Sequence, residues 1–123
     1  MIRFCSIDGD RIGATLEKLI ISQDLTRLTQ FSQLINETIN KISQDILEKN
    51  YELIFSGGDN ILFSGNFNIS YCEDMSKYFE KTTSNKLSVG IGDTAIESFL
   101  ALKIAKASGG AVIFDYCEIK NNE

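Results

Sequence analysis

Histidine, proline and tryptophan are all absent from the 123-residue chain. Without histidine the protein cannot form a Ser-His-Asp triad, a Cys-His pair or a histidine-ligated zinc or iron site. Any acid–base chemistry must therefore use a carboxylate, lysine, tyrosine, cysteine or metal-bound water. The lack of proline removes a common cause of helix breaks, so long uninterrupted helices are possible.

Cysteine is scarce, and Cys5, Cys72 and Cys117 are too widely spaced to form a CxxC motif. We expect them to be buried thiols of a cytoplasmic protein. The chain also has no apolar run of about 18 residues and no basic-then-apolar leader. We therefore predict neither a membrane span nor a secretory signal.

Basic residues are outnumbered by acidic ones, and the net charge is −5. A long nucleic acid needs a basic stripe, so we do not expect one as a partner. A small nucleotide that arrives with a metal ion is compatible with this charge. The length and the 43% content of hydrophobic residues predict one globular domain over residues 1–117, followed by a polar tail over 118–123.

The apolar pattern predicts the element order β-α-α-β-β-α-β-α-β. Apolar residues recur at steps of three and four between positions 25 and 46, which indicates a long second helix. The stretch Ser22-Gln23-Asp24 is expected to end the first helix and to cap the second, and Ser70 and Thr94 are the expected caps of the last two helices. In the last helix, the residues expected to face the sheet are Ile96, Phe99, Leu100 and Ile104.

This order contains the β-α-β-β-α-β arrangement of the ferredoxin-like fold. We therefore predict an α/β (α+β) domain with a mostly antiparallel sheet and helices on one face. A hairpin is expected from the strands Tyr51 to Phe55 and Ile61 to Phe63. The first strand should pair with one strand of this hairpin at the centre of the sheet.

Two acidic stretches follow strands of the predicted sheet. Asp8, Gly9 and Asp10 come after the first strand, and Asp59 lies in the glycine-rich turn of the hairpin. If these strands pair, Asp8 and Asp59 meet and could hold Mg²⁺ or Mn²⁺, with the Gly9 carbonyl as a third oxygen ligand. The simpler alternative is that Asp8 caps the next helix and Asp59 only forms the turn. Asp10 either holds a second ion or only shapes the start of that helix.

Residues beside these acids are candidates for nucleotide contacts. The helix that starts after Gly9 offers free main-chain N–H groups, which suit a phosphate. Lys103 and Lys106 share a helix face and could reach a triphosphate, unless they are simply solvated. The hairpin side chains could contact a sugar or base, unless they only form the turn. The full candidate set is Gly9, Arg11, Ile12, Ser56, Gly57, Gly58, Asn60, Lys103 and Lys106.

Four segments together resemble the palm-type nucleotide cyclase and polymerase superfamily: DGD, SGGDN, VGIGD and ALKIAKASGG. This superfamily includes GGDEF diguanylate cyclases and the polymerase-like subunit of type III CRISPR complexes. IDGDRIG followed by FSGGDN is most similar to the minimal CRISPR polymerase family. The resemblance extends over most of the chain, residues 2–114.

The resemblance implies a palm domain that joins nucleoside triphosphates into a cyclic di- or oligonucleotide, in antiviral defence. It implies that Asp8 and Asp59 hold Mg²⁺ with the Gly9 carbonyl, and that Lys106 contacts phosphates. Because cyclisation needs two nucleotides that face each other, we expect a homodimer. A downstream effector would read the product.

Asn60 departs from the family pattern, because GGDEF and GGDD hairpins have a second acid at this position. One carboxylate is therefore lost, and Asp10 could compensate for it. The chain also lacks a recognisable guanine-binding set, which favours ATP as the substrate. Two alternatives stay open: a nucleotide hydrolase similar to GTP cyclohydrolase III, and a catalytically inactive palm that binds a nucleotide as a sensor.

Overall fold

The computed structural model describes residues 1–118. Over that range the strands are β1 (Arg3–Gly9), β2 (Glu52–Gly57), β3 (Asn60–Gly65), β4 (Leu87–Gly92) and β5 (Ile113–Asp115). The helices are α1 (Ile12–Ile21), α2 (Leu25–Glu48), α3 (Ile69–Thr83) and α4 (Ala95–Ala107). This is the predicted element order. Of the predicted polar tail, residues 119–123 lie outside the described part of the chain.

The strands form one sheet in the order β2-β3-β1-β4-β5. β1 lies between β3 and β4 and is antiparallel to both, β2 is antiparallel to β3, and β4 and β5 are parallel. The mixed, mostly antiparallel sheet and the ferredoxin-like class are therefore confirmed. β1 also pairs with a hairpin strand as predicted, in a register that sets Asp8 opposite Asn60.

Helices cover both faces of the sheet, so the prediction of helices on one face is wrong. Successive side chains of a strand point to opposite faces. The Cys5 sulfur lies 3.8 Å from that of Cys72 on α3, whereas the Ser6 hydroxyl lies 2.9 Å from that of Ser98 on α4. The connection through α4 therefore runs across the face opposite to α3.

The face under α2 and α3 holds the main hydrophobic core. Its largest fully buried side chains come from the central strands and both helices, namely Ile7, Ile39, Ile46, Ile61, Phe63, Phe79, Val89 and Ile91. Complete burial of each such side chain stabilises the fold by about 1.5–3 kcal/mol. This layer is therefore the principal source of stability.

The face under α4 is packed with small residues. The buried positions of α4 are Ser98, Ala101 and Ala105. A Cβ atom on Gly90 of β4 would collide with the backbone of α4 at Ser98 and Leu102, so only glycine allows this close approach. The helix lies almost directly on the strand.

Three apolar residues of α4 are largely exposed instead of packed against the sheet, contrary to the prediction. Ile96 is 71% exposed, Phe99 51% and Leu100 41%. The close approach at Gly90 allows only small side chains in the buried stripe of α4, so the large ones lie outside that stripe. Half-buried Ile104 is the remaining member of the predicted set.

The predicted helix caps are confirmed in two of three cases. The Asp24 side chain accepts a hydrogen bond from the Arg27 N–H at the start of α2, and Thr94 accepts one from the Glu97 N–H at the start of α4. The cap of α3 is Asn68 rather than Ser70, because the Asn68 side chain accepts the Tyr71 N–H at 3.1 Å. These caps fix where each helix begins.

Candidate functional site

The end of β1 and the tip of the β2–β3 hairpin meet beside α4. The Gly9 N–H donates to the Asp59 carbonyl at 3.1 Å, which ties the hairpin tip to β1. Gly58 adopts a left-handed conformation, with φ of 58°, and this allows the tight turn before Asp59. As a result the Asp8 and Asp59 carboxyl groups lie side by side.

The two carboxyl groups interact closely enough to change the acidity of one of them. Burial and the negative charge of Asp8 raise the pKa of Asp59 from 3.8 to about 6. Two adjacent carboxylates repel each other when both are ionised, and either a proton or a cation relieves that repulsion. The pair therefore has the electrostatic character of a cation site.

Lys106 of α4 reaches the same carboxylates. Its ammonium nitrogen lies 2.9 Å from the Gly9 carbonyl oxygen, 2.8 Å from Asp10 Oδ1 and 3.2 Å from Asp8 Oδ2. Burial opposes the charge on Lys106, but Asp10 and Asp8 outweigh this effect and raise its pKa. The lysine is thus a fixed cation at the end of β1.

Asp10 forms a separate, structural contact. Its Oδ1 accepts the Ser88 hydroxyl at 2.7 Å, and its Oδ2 accepts the Ala111 N–H at 2.6 Å. Its side chain is only 12% exposed. With Lys106 as a third donor, both carboxylate oxygens are engaged. The Asp10 side chain thus contacts β4, α4 and the connection after α4 rather than the start of α1, and its role as a ligand of a second ion stays a prediction.

The start of α1 offers main-chain rather than side-chain contacts. Arg11 has a φ of 60° and its side chain does not cap the helix. The Ile12 side chain is 7% exposed and belongs to the core, so only its N–H could serve a phosphate. The exposed Arg11 side chain extends from the same turn.

The hairpin residues divide between the two faces of the sheet. The Ser56 hydroxyl lies 2.7 Å from that of Ser43 on α2, so Ser56 points away from the face that carries Asp8. Asn60 is paired with Asp8 in register and shares its face. Gly57 is the last residue of β2 and pairs with Asn60, so Gly58 and Asp59 form the turn. The structure therefore brings Asn60, but not Ser56, to the acidic pair.

A groove of about 350 Å³ opens beside the acidic pair, between α4 and the sheet. Its walls include Phe55 and Leu62 from the hairpin and Phe99 and Leu102 from α4, in addition to Asp8, Asn60, Lys103 and Lys106. Sequence reasoning missed these apolar walls. A signal was present, because α4 carries more large apolar residues than one buried stripe can accommodate.

Lys103 lines the groove, but the ion pairs to Asp8 and Asp10 come from Lys106 and not from Lys103. Its ammonium lies 5.1 Å from the centre of the Phe99 ring. A cation over an aromatic face is attracted by the ring electrons. Of the two candidate lysines, only Lys106 is held by the acidic cluster.

Three oxygen groups could hold a metal ion: the carboxylates of Asp8 and Asp59 and the Gly9 carbonyl. This set fits Mg²⁺, which prefers oxygen ligands and is commonly bound by one or two carboxylates together with substrate phosphates. Within residues 1–118 no group of three or more Asp, Glu, Cys or His side chains is suited to hold a metal. An ion here would therefore depend on the main chain and on the substrate to complete its shell.

No helix in the described part of the chain is long and apolar enough to cross a membrane.

The fold and the acidic pair define a palm-type domain, and comparison with known structures supports this class. A Csm1-Csm4 cassette crystallised in complex with one ATP matches with a TM-score of 0.76 at 17% identity, over 89% of this chain and 20% of that one. The GGDEF domain of DgcB from Caulobacter crescentus, in complex with c-di-GMP, matches with a TM-score of 0.63 at 11% identity, over 94% and 77%. The GGEEF domain of a diguanylate cyclase from Vibrio cholerae matches with a TM-score of 0.61 at 19% identity, over 94% of this chain and 82% of that one.

Residues 4–116 match the minimal CRISPR polymerase domain, mCpol. The chain therefore belongs to the minimal CRISPR polymerase family, as its motifs indicated. It spans only a fifth of the Csm1-Csm4 chain that it resembles. No sequence among curated proteins is similar enough to count as a match.

Proposed function

We propose that this palm domain is a metal-dependent nucleotidyltransferase that joins nucleoside triphosphates, ATP favoured, into a cyclic di- or oligonucleotide. The observation that carries the proposal is the pairing of Asp8 and Asp59 next to Lys106, at the side of a groove large enough for a nucleoside. Membership of the family and the palm-type neighbours support a nucleotide cyclase domain. The choice of ATP rests on the lack of a guanine-binding set.

The chemistry requires one new phosphate ester bond for each nucleotide joined. A ribose hydroxyl oxygen of one nucleotide bonds to the α-phosphorus of another, the bond to the β-phosphate breaks, and pyrophosphate and a proton leave. A bound Mg²⁺ or Mn²⁺ would neutralise the triphosphate and lower the pKa of the attacking hydroxyl. No histidine base is needed for this reaction.

The residues of the chain have distinct parts in this reaction. Asp8, Asp59 and the Gly9 carbonyl would hold the ion. Lys106 would exchange its contacts with Asp8 and the Gly9 carbonyl for the phosphates, and the N–H groups at the start of α1 would orient them. Asp10 keeps Lys106 and the α4–β5 connection in place.

We also propose that two chains act together. One domain presents one groove, and cyclisation requires two nucleotides that face each other. A homodimer with apposed active sites meets this need, and an effector of antiviral defence would read its product. If sedimentation finds the active enzyme to be a monomer and detects no dimer, the proposed homodimer is contradicted.

Mass spectrometry of reaction products tests the activity. The purified chain is incubated with ATP, GTP, CTP and UTP, singly and mixed, with Mg²⁺ or Mn²⁺. We expect a cyclic product from ATP that disappears in Asp8→Ala and Asp59→Ala, while Asp74→Ala, an exposed aspartate on α3, serves as the unaffected control. A ring-opened guanine nucleotide would instead indicate a hydrolase similar to GTP cyclohydrolase III.

A binding-only palm is the second candidate function. Asn60 replaces the second acid of the hairpin, and Asp10 is engaged by Ser88 and Ala111. Among the described residues, Asp8 is the carboxylate that lines the groove, and Asp59 lies beside it. Such a site could hold a nucleotide without turning it over. Tight binding of ATP with no product under any of the conditions above would establish this function.

A further inference from the structure

The groove beside the acidic pair has two aromatic rings that the fold itself does not use. Phe55 is 54% exposed and Phe99 is 51% exposed, although both line the same cavity. Exposed aromatic rings that converge on a cavity are typical of ligand sites, where bases stack against them.

The groove is continuous with the groups that would hold a triphosphate. Asp8 and Lys106 belong to the same lining as the aromatic rings. Its volume of about 350 Å³ lies near the lower end of the range for small-molecule sites, about 300–1,000 Å³. A ligand with an anionic end and a flat apolar end therefore fits the arrangement.

Asn60 adds a neutral amide to the lining of this cavity. It shares a sheet face with Asp8 and Leu62, because the β1–β3 register pairs Asp8 with Asn60 and Ser6 with Leu62. Among residues 1–118 the Asn60 side-chain amide has no hydrogen-bond partner. An amide offers one acceptor and two donors, which is the pattern that reads the edge of a base.

We infer that this groove is the base subsite: the nucleobase lies between Phe99 on α4 and the Phe55–Leu62 surface of the hairpin, and Asn60 contacts its edge. The inference rests on the proposed function, because the triphosphate must lie at Asp8 and Lys106. Phe99 then provides affinity for any base, and Asn60 discriminates between bases. The residue that replaces the second acid of the hairpin thus acts in specificity.

Binding measurements with three probes separate the base subsite from the phosphate site. The probes are the α,β-methylene analogues of ATP and GTP, which resist cleavage at the α-phosphorus, and inorganic triphosphate, which has no base. Isothermal titration calorimetry is performed with Mg²⁺ present. Phe99→Ala should weaken both nucleotides roughly 5- to 100-fold and leave inorganic triphosphate unchanged.

Four further variants complete the design. Lys106→Ala should weaken all three probes, because it removes the phosphate contact. Asn60→Ala should change the ratio of the two nucleotide affinities and leave inorganic triphosphate unchanged. Ile96→Ala is the matched control, since Ile96 lies on the same helix, is 71% exposed and does not line the groove. Phe55→Ala removes the aromatic ring on the hairpin wall of the groove, and it should have the same effect on the three probes as Phe99→Ala.

The outcomes distinguish this inference from the proposed function. If nucleotides bind more tightly than inorganic triphosphate but Phe99→Ala and Phe55→Ala bind like the parent, the base lies elsewhere and only the inference is overturned. If Phe99→Ala converts a dimer to a monomer in sedimentation and weakens every probe equally, the groove is covered by a second copy. If the parent binds none of the probes, the proposed function itself fails.

Discussion

Lys106 and Asp8 are joined by an ion pair of 3.2 Å, and the same ammonium lies 2.9 Å from the Gly9 carbonyl. Two of the three groups proposed to hold a metal are therefore already bound to a cation from the chain itself. Lysine and the metal must share or exchange these oxygens when a substrate binds. The exchange is the basis of the first prediction.

Replacement of Lys106 by methionine should destabilise the metal-free protein. The carboxylates of Asp8 and Asp10 would lose their cation, and for a site about one-third exposed we expect a loss of about 1–2 kcal/mol in the free energy of unfolding. Mn²⁺ should then stabilise Lys106→Met more than the parent, because no ammonium competes for the same oxygens.

Thermal melting with EDTA and with Mn²⁺ measures both effects. Lys103→Met is the matched control, since Lys103 is exposed and contacts the Phe99 ring instead of the carboxylates. Equal melting temperatures for Lys106→Met and the parent, with and without Mn²⁺, would contradict the exchange.

Asp10→Ala should be the most damaging of the aspartate substitutions to stability. It leaves the Ser88 hydroxyl, the Ala111 N–H and the Lys106 ammonium without their shared acceptor. For a carboxylate only 12% exposed, we expect a loss of about 2–4 kcal/mol, measured by urea unfolding. Asp8→Ala is the comparison, and a loss at Asp8 as large as that at Asp10 would reverse the assignment of roles.

The stability conferred by Asp59 should depend on pH. Its pKa is raised from 3.8 to about 6 in the folded protein, so the folded state binds the proton more tightly than the unfolded state does. The folded protein therefore loses stability as pH rises from about 4 through about 6, with the loss complete above that range. Asp59→Asn removes this dependence.

Urea unfolding at pH 5 and pH 7.5 in EDTA tests the assignment. The free energy of unfolding of Asp59→Asn, measured relative to that of the parent, should be higher at pH 7.5 than at pH 5. The same variant should make no cyclic product. If Asp59→Asn is instead destabilised by the same amount at both pH values, the role of Asp59 in the folded protein is limited to forming the hairpin turn.

Asn60→Asp should restore a second acid to the hairpin. The new carboxylate would lie on the face of Asp8 and strengthen Mn²⁺ binding by roughly tenfold, since affinity increases with ligand charge. It should also destabilise the metal-free protein through repulsion. Calorimetry with Mn²⁺ measures the gain, and Asn36→Asp on the exposed part of α2 controls for net charge. If Asn60→Asp binds Mn²⁺ with the same affinity as the parent, the side chain at position 60 does not contact the ion.

The acidic pair was predictable because a local pattern marks each carboxylate and a single strand pairing brings the two together. A strand that ends in Asp8 and a hairpin that turns at Asp59 need only pair with each other, and β1 and β3 do so. The role of Asp10 was not predictable in the same way. It depends on Ser88 and Ala111, which reach Asp10 only after β4 and the connection after α4 are in place.

The two faces of the sheet could have been separated from the sequence. β4 alternates glycine with larger residues at Gly90 and Gly92, and α4 has Ala101 and Ala105 four apart. Small residues on both partners indicate a close helix–strand contact. The prediction instead followed the large apolar residues, which here line a groove and the outer surface.

The small-residue contact under α4 also has a consequence for motion. α4 buries alanine and serine side chains, whereas α2 and α3 bury isoleucine, methionine and phenylalanine. Local unfolding is easiest where the least apolar surface must be exposed, so amide hydrogens of α4 should exchange with solvent before those of α2. We therefore expect the helix that carries Phe99 and Lys106 to open at a lower free energy than the layer of α2 and α3 on the opposite face.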